Sequence, residues 1–144
     1  MDAKSTIRDL LLSQHLAVLA TQERGQPYTS LVTFASSEEL RRVWFPTLRS
    51  TRKFANLTAE PRVALLVDSR SHQASDLTDA YALTALGAAS DTTGDERGAL
   101  VDLYLGKNPQ LRDFVSSPDC ALIQVRIQRY LLVGHFQEVV ELKP

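Results

Sequence analysis

The chain has 144 residues, 44% of them hydrophobic and 23% charged, with sixteen Lys+Arg against seventeen Asp+Glu for a formal net charge of −1. That length is near the commonest domain size and can bury a core, so one domain over 1–144 is expected and disorder of the whole chain is excluded. The balanced charge speaks against a protein that wraps a nucleic-acid backbone, and the single cysteine, Cys120, excludes an internal disulfide or a cysteine-based metal centre.

The first segment, residues 4–14, reads as a helix with Ser5 or Thr6 as N-cap and an apolar stripe at Ile7, Leu10 and Leu11. Ser13, Gln14 and His15 interrupt the apolar stretch that follows Leu10, so it is too short and too polar to span a membrane. Asp2 and Asp9 oppose a signal peptide. No membrane association and a cytoplasmic address are therefore expected. His15 to Thr21 suits a buried strand, Gly25 and Pro27 mark a turn, and Tyr28 to Ala35 alternates as a strand with one wet face. A strand from Leu40 to Phe45 is expected to stop at Pro46, and a helix from Ser50 to Thr58 to close at Glu60-Pro61.

Arg62 to Asp68 is a further apolar strand, and Ser69 to Thr78 reads as a long loop. Ala80 to Ala89 reads as a strand, with Gly87 weighing against a helix. Thr93 and Glu96 have capping-box spacing before a helix with Leu100, Leu103 and Tyr104 on one face, which stops at Gly106-Lys107-Asn108-Pro109. A short helical turn over Pro109 to Val115 follows. Cys120 to Ile127 alternates strictly, and Arg129 to Leu142 adds a last strand kinked at Gly134. Six to seven strands that do not alternate with helices as β-α-β-α point to a mainly β fold: an antiparallel, Greek-key split barrel with flanking helices.

One segment carries chemistry. R-R-V-W-F-P-T-L-R-S-T-R-K, residues 41–53, holds five of the sixteen cations and no acid. With Ser50 or Thr51 as N-cap, Arg52 and Lys53 fall in the first turn of the next helix, where cations are unfavourable against the helix dipole. That placement calls for a compensating anion. Free helix N–H groups, the hydroxyls of Ser50 and Thr51 and the two cations would suit a phosphate. The competing reading is that both side chains point into water.

The order G-Q-P-Y-T-S-L-V-T-F-A, then V-W-F-P-T, then S-T-R-K-F-A-N-L-T-A-E-P-R-V-A-L-L-V resembles the pyridoxamine 5′-phosphate oxidase-like, FMN-binding split-barrel superfamily. Residues 12–68 carry the resemblance, Cys120 to Leu142 share it more loosely, and 69–118 match no part of it. The resemblance implies an FMN-dependent oxidoreductase that passes electrons from a reduced donor to a small organic acceptor. It implies that Arg52, Lys53, Thr51 and Ser50 hold the FMN phosphate. Thr29, Ser30 and Leu31 would meet the polar edge of the flavin, and Phe45, Pro46 and Thr47 would lie near the ring and ribityl chain. It implies further a homodimer with the cofactor at the interface, reached by His135 and Phe136 of the second chain.

The C-terminus, V-V-E-L-K-P, lacks the Arg/His-rich stretch that holds the substrate phosphate in true pyridoxamine phosphate oxidases, which argues against vitamin B6 oxidation. A binding protein on the same barrel, loaded with haem or coenzyme F420, and a structural dimer that binds nothing are the alternatives. Trp44 and Cys120 read as core, and His15 as a residue favoured at a helix end. His72 reads as a solvated loop residue, while His135 keeps an acid–base role open.

Overall fold

A computed structural model describes residues 2–134 and 138–144. The chain forms α1 (Ala3–Ser13), β1 (Leu16–Glu23), β2 (Gln26–Thr33), β3 (Ala35–Ser36), β4 (Arg42–Leu48), α2 (Arg52–Ala59) and β5 (Arg62–Asp68). It continues through α3 (Asp76–Asp79), β6 (Ala82–Asp91), α4 (Glu96–Lys107), α5 (Arg112–Ser116), β7 (Cys120–Val133) and β8 (Val139–Leu142). All ladders are antiparallel, and the sheet runs β2-β1-β5-β6-β7-β4-β3, with β8 on β7. The result is the expected mainly β split barrel. Among the described residues the strands number eight because β3 is a two-residue element of its own, and the two C-terminal strands are Cys120–Val133 and Val139–Leu142.

Strand alternation builds the core. Leu19, Val32, Phe34, Val43, Phe45, Leu65, Leu83, Ile123, Val125 and Tyr130 point inward, and Ile7, Leu10 and Leu11 of α1 join them. Trp44 and Leu122 point outward from β4 and β7 and are covered by Leu100, Tyr104 and Leu105 of α4 and Val115 of α5. Trp44 and Cys120 are thus buried packing residues, as expected. Gly87 has a steric reason to be glycine: a Cβ there would lie 2.2 Å from the carbonyl oxygen of Arg126.

Several expectations are corrected. Asp2 caps α1, its carboxylate accepting from Ser5 N–H at 2.7 Å, in place of Ser5 or Thr6. Pro46 lies inside β4, which runs on to Leu48. β3 reaches only Val43 and Trp44, so beyond Trp44 the strand has one ladder neighbour and a missing N–H is tolerated. The loop over 69–78 contains the start of the short helix α3. Thr93 does not cap α4, whose N-cap position is Asp95 with no side-chain cap bond. Leu103 is exposed, while Leu105 completes the buried face with Leu100 and Tyr104. Finally, β7 does not end near Ile127. Ile127 pairs with Gly87 and Arg129 with Leu86, leaving Gln128 as an extra residue that bends the strand without breaking it. Gly134 follows the strand, and its N–H donates to Glu138 O at 3.1 Å.

Candidate cofactor site at the start of α2

β4 ends at Leu48, and a tight loop brings the chain into α2 with Thr51 as N-cap in extended conformation. Thr51 Oγ1 donates to Leu48 O at 2.9 Å and accepts from Phe54 N–H at 3.3 Å, and it lies 2.8 Å from Thr47 Oγ1. One hydroxyl therefore fastens the strand end to the helix start. The N–H groups of Arg52 and Lys53 have no acceptor among the described residues, the ordinary condition of a first helical turn that leaves it able to receive an anion.

A cleft of about 310 Å³ opens at this turn, lined by Leu31, Val32 and Thr33 of β2, Pro46, Thr47 and Leu48 of β4, Thr51, Lys53, and Leu111 and Phe114. Among the described residues β2 is an outer strand bonded only to β1, and β4 beyond Trp44 is bonded only to β7. The cleft thus lies where the barrel is split, between two strands whose facing edges lack ladder partners.

The basic run divides into paired and unpaired cations. Arg52 Nη1 lies 2.8 Å from Glu23 Oε2, so the anion this cation calls for is supplied by the end of β1. Arg49 Nη1 bonds Asp91 Oδ2 at 2.5 Å, with its Cζ 5.5 Å from the centre of the Phe54 ring. Lys53 has no acidic partner within reach among the described residues, and it faces the cleft.

The structure therefore brings together Leu31, Pro46, Thr47, Thr51 and Lys53 from the expected set. It turns Arg52 toward Glu23 and leaves Ser50 exposed at the loop. Phe45 is 0% exposed within the barrel core, so its side chain has no surface for a ligand. Thr29 is exposed on the outer side of β2, and Ser30 lies opposite Leu19, its Oγ buried without a partner. His135 and Phe136 fall outside the described residues. Leu111 and Phe114 were not expected at the site. Their apolar i, i+3 spacing after Pro109, with Phe114 still 38% exposed, is the signal that marks them.

The fold and this cleft define an antiparallel split barrel with a polar helix start at its opening. A family model described as pyridoxamine 5′-phosphate oxidase matches residues 3–134, and the chain belongs to that split-barrel family. No curated protein matches the sequence at a significant level. Among solved structures, a haem-binding protein from Mycobacterium smegmatis is similar at TM-score 0.88 and 22% identity, over 99% of this chain and 58% of that one. The chain thus spans 58% of that neighbour's length. A FAD-binding protein from Mesorhizobium loti is similar at TM-score 0.74 and 16% identity, over 92% of both chains. A putative pyridoxamine 5′-phosphate oxidase from Listeria innocua is similar at TM-score 0.70 and 14% identity, over 96% of this chain and 98% of that one. Among the described residues no helix is long and apolar enough to cross a membrane.

Proposed function

We propose that the protein is an FMN-dependent oxidoreductase whose flavin phosphate sits at the first turn of α2. The observation that carries this reading is Lys53: an unpaired cation in the cleft, beside two helix N–H groups without acceptors. The residues present fit the group. Lys53 and the N–H groups of Arg52 and Lys53 would bind phosphate oxygens. The Thr51 hydroxyl donates to Leu48 O already, so its part is to hold the turn in shape. The unpaired edges of β2 and β4 offer backbone donors and acceptors to a heteroaromatic edge, and Leu31, Leu111 and Phe114 supply apolar walls. Bound flavin would supply the electron-transfer chemistry, with the chain positioning it and limiting water. No member of the described set is required as a nucleophile.

A cleft of about 310 Å³ lies at the small end of cofactor pockets, so a second copy completing its wall belongs to the same proposal. The exposed side of β1, β2 and β5 suits that copy: Leu16, Leu31 and Leu66 are 52%, 60% and 37% exposed, and Val18 lies between Leu31 and Leu66 in register. A cytoplasmic address and a small-molecule donor and acceptor complete the reading. The test is the absorbance spectrum of the purified protein before and after FMN is added. A flavin band with a shifted maximum supports the assignment, and a protein that stays colourless and leaves free FMN unchanged refutes it.

Haem is the second reading, and one observation favours it. His72, held at φ 63° in a loop whose N–H groups at Ser71, His72 and Gln73 bond the Asp76 carboxylate, lines a groove of about 280 Å³. Leu16, Val18, Leu31 and Leu66 line that groove as well, together with Asp68 and Arg70, which pair at 2.9 Å. An exposed imidazole beside an apolar strip is a donor set that suits an iron porphyrin. A Soret band that shifts in His72→Ala would favour haem over flavin.

A further inference from the structure

We infer that the arginines at the other end of the basic run form a second binding site, for a small dianion bearing phosphate or carboxylate groups. Arg41, Arg42 and Arg126 line a recess of about 300 Å³ together with Glu39, Ile127 and Pro144. Arg42 and Arg126 are direct partners in the β4–β7 ladder, and like charges facing each other across an antiparallel pair repel. Arg41 is tied to the same place, because its carbonyl accepts from Ile127 N–H at 2.8 Å. The one acid at the recess is Glu39, whose Oε1 is 3.9 Å from Arg42 Nη2. Arg41 and Arg126 have no ion pair among the described residues. Among the side chains of the recess, three guanidinium groups face one carboxylate.

Neutral groups hold one of these cations in place without cancelling its charge. Gln124 Oε1 accepts from Trp44 Nε1 at 3.0 Å and, at a longer 3.5 Å, from Arg42 Nη1. Arg42 Cζ stands 5.1 Å from the centre of the ring of the fully buried Trp44. A guanidinium fixed against a buried indole loses less freedom on binding, and its planar fork matches a carboxylate or phosphate in two-point contact. A merely solvated basic face needs neither the anchoring nor the recess. The site shares no residue with the cleft at α2 and does not depend on the flavin reading.

Calorimetric titration of the full chain at low salt, with pyrophosphate in one arm and succinate in the other, tests this. The expected result is binding of at least one probe, with a component weakened about tenfold or more in Arg126→Gln and Arg42→Gln, the range for losing a charge-assisted bond. Glu39→Gln should bind more tightly, and Arg24→Gln, an exposed cation outside both clefts, should bind as the unaltered protein does. The stronger arm identifies phosphate or carboxylate as the ligand chemistry. Absence of binding in both arms at millimolar probe overturns the proposal. So does an Arg126→Gln variant that binds undiminished, or an Arg24→Gln variant weakened as much as Arg126→Gln.

Discussion

The hydroxyls of Thr47 and Thr51 lie 2.8 Å apart, joining the last inward turn of a barrel strand to the N-cap of the helix that begins the candidate site. Thr47 is 1% exposed, so this contact is sheltered from water. The strand end, the cap and the cleft are therefore one mechanical unit.

Thr51→Ala should lower stability by about 1 kcal/mol, the usual cost of deleting an N-cap, and should also weaken any ligand held at the α2 turn. Thr51→Ser keeps the hydroxyl and should restore most of both. Denaturant unfolding of the two variants beside the parent checks the comparison.

Gly87→Ala should destabilise by about 1–3 kcal/mol, the range for forcing extra volume into a packed site. The added methyl would collide with the backbone carbonyl of Arg126, which cannot swing aside as a side chain would. The Gln128 bulge lies beside this point, so the nearby register is also at risk. Thermal unfolding gives the answer.

Lys107 Nζ donates to the carbonyls of Leu11 and Gln14 at the end of α1, at 2.8 and 2.6 Å, and stands 3.8 Å from the centre of the Phe34 ring. Burial pushes its pKa down to about 8 from an ordinary 10.5. With the folded value below the unfolded one, the folded chain binds fewer protons between about 8 and 10.5. This group's contribution to stability therefore rises with pH through that window. Lys107→Met should remove that rise in urea unfolding measured as a series in pH. Tyr104, raised by burial to about 12, acts in the opposite sense above pH 10, so the lower half of the window is the cleaner comparison.

Cys120 is 1% exposed, and burial pushes its thiol up. A thiol-specific reagent should leave the native protein unlabelled and label one equivalent on unfolding. Labelling of the native state at the unfolded rate would contradict the packing described at the start of β7.

Much of this was legible in the sequence for physical reasons. Strict alternation over Cys120 to Ile127 and the apolar run Arg62 to Asp68 leave few options but strands in a barrel wall. Asp2 was harder to place, because two hydroxyl residues compete with it as caps within four positions. The continuation of β4 through Pro46 was hidden because the rule against proline in strands depends on ladder neighbours, and these are set by the chain's return at β3 and β7. At the site, the wrong-end cations were visible, but which of them is neutralised was not. Glu23, 29 residues before Arg52, becomes its partner only once the hairpin and α2 are in place.

That division of labour sharpens the decisive measurement, the affinity of the chain for FMN compared with riboflavin, which carries the same ring without the phosphate. Lys53→Ala should weaken FMN by about 1.5–3 kcal/mol, the range for a hydrogen bond to a charged group, and leave riboflavin nearly unchanged. Arg52→Ala should weaken FMN less, because Arg52 is engaged with Glu23. If FMN and riboflavin bind equally, or if Lys53→Ala weakens both alike, no phosphate lies at the start of α2 and the flavin assignment fails with it.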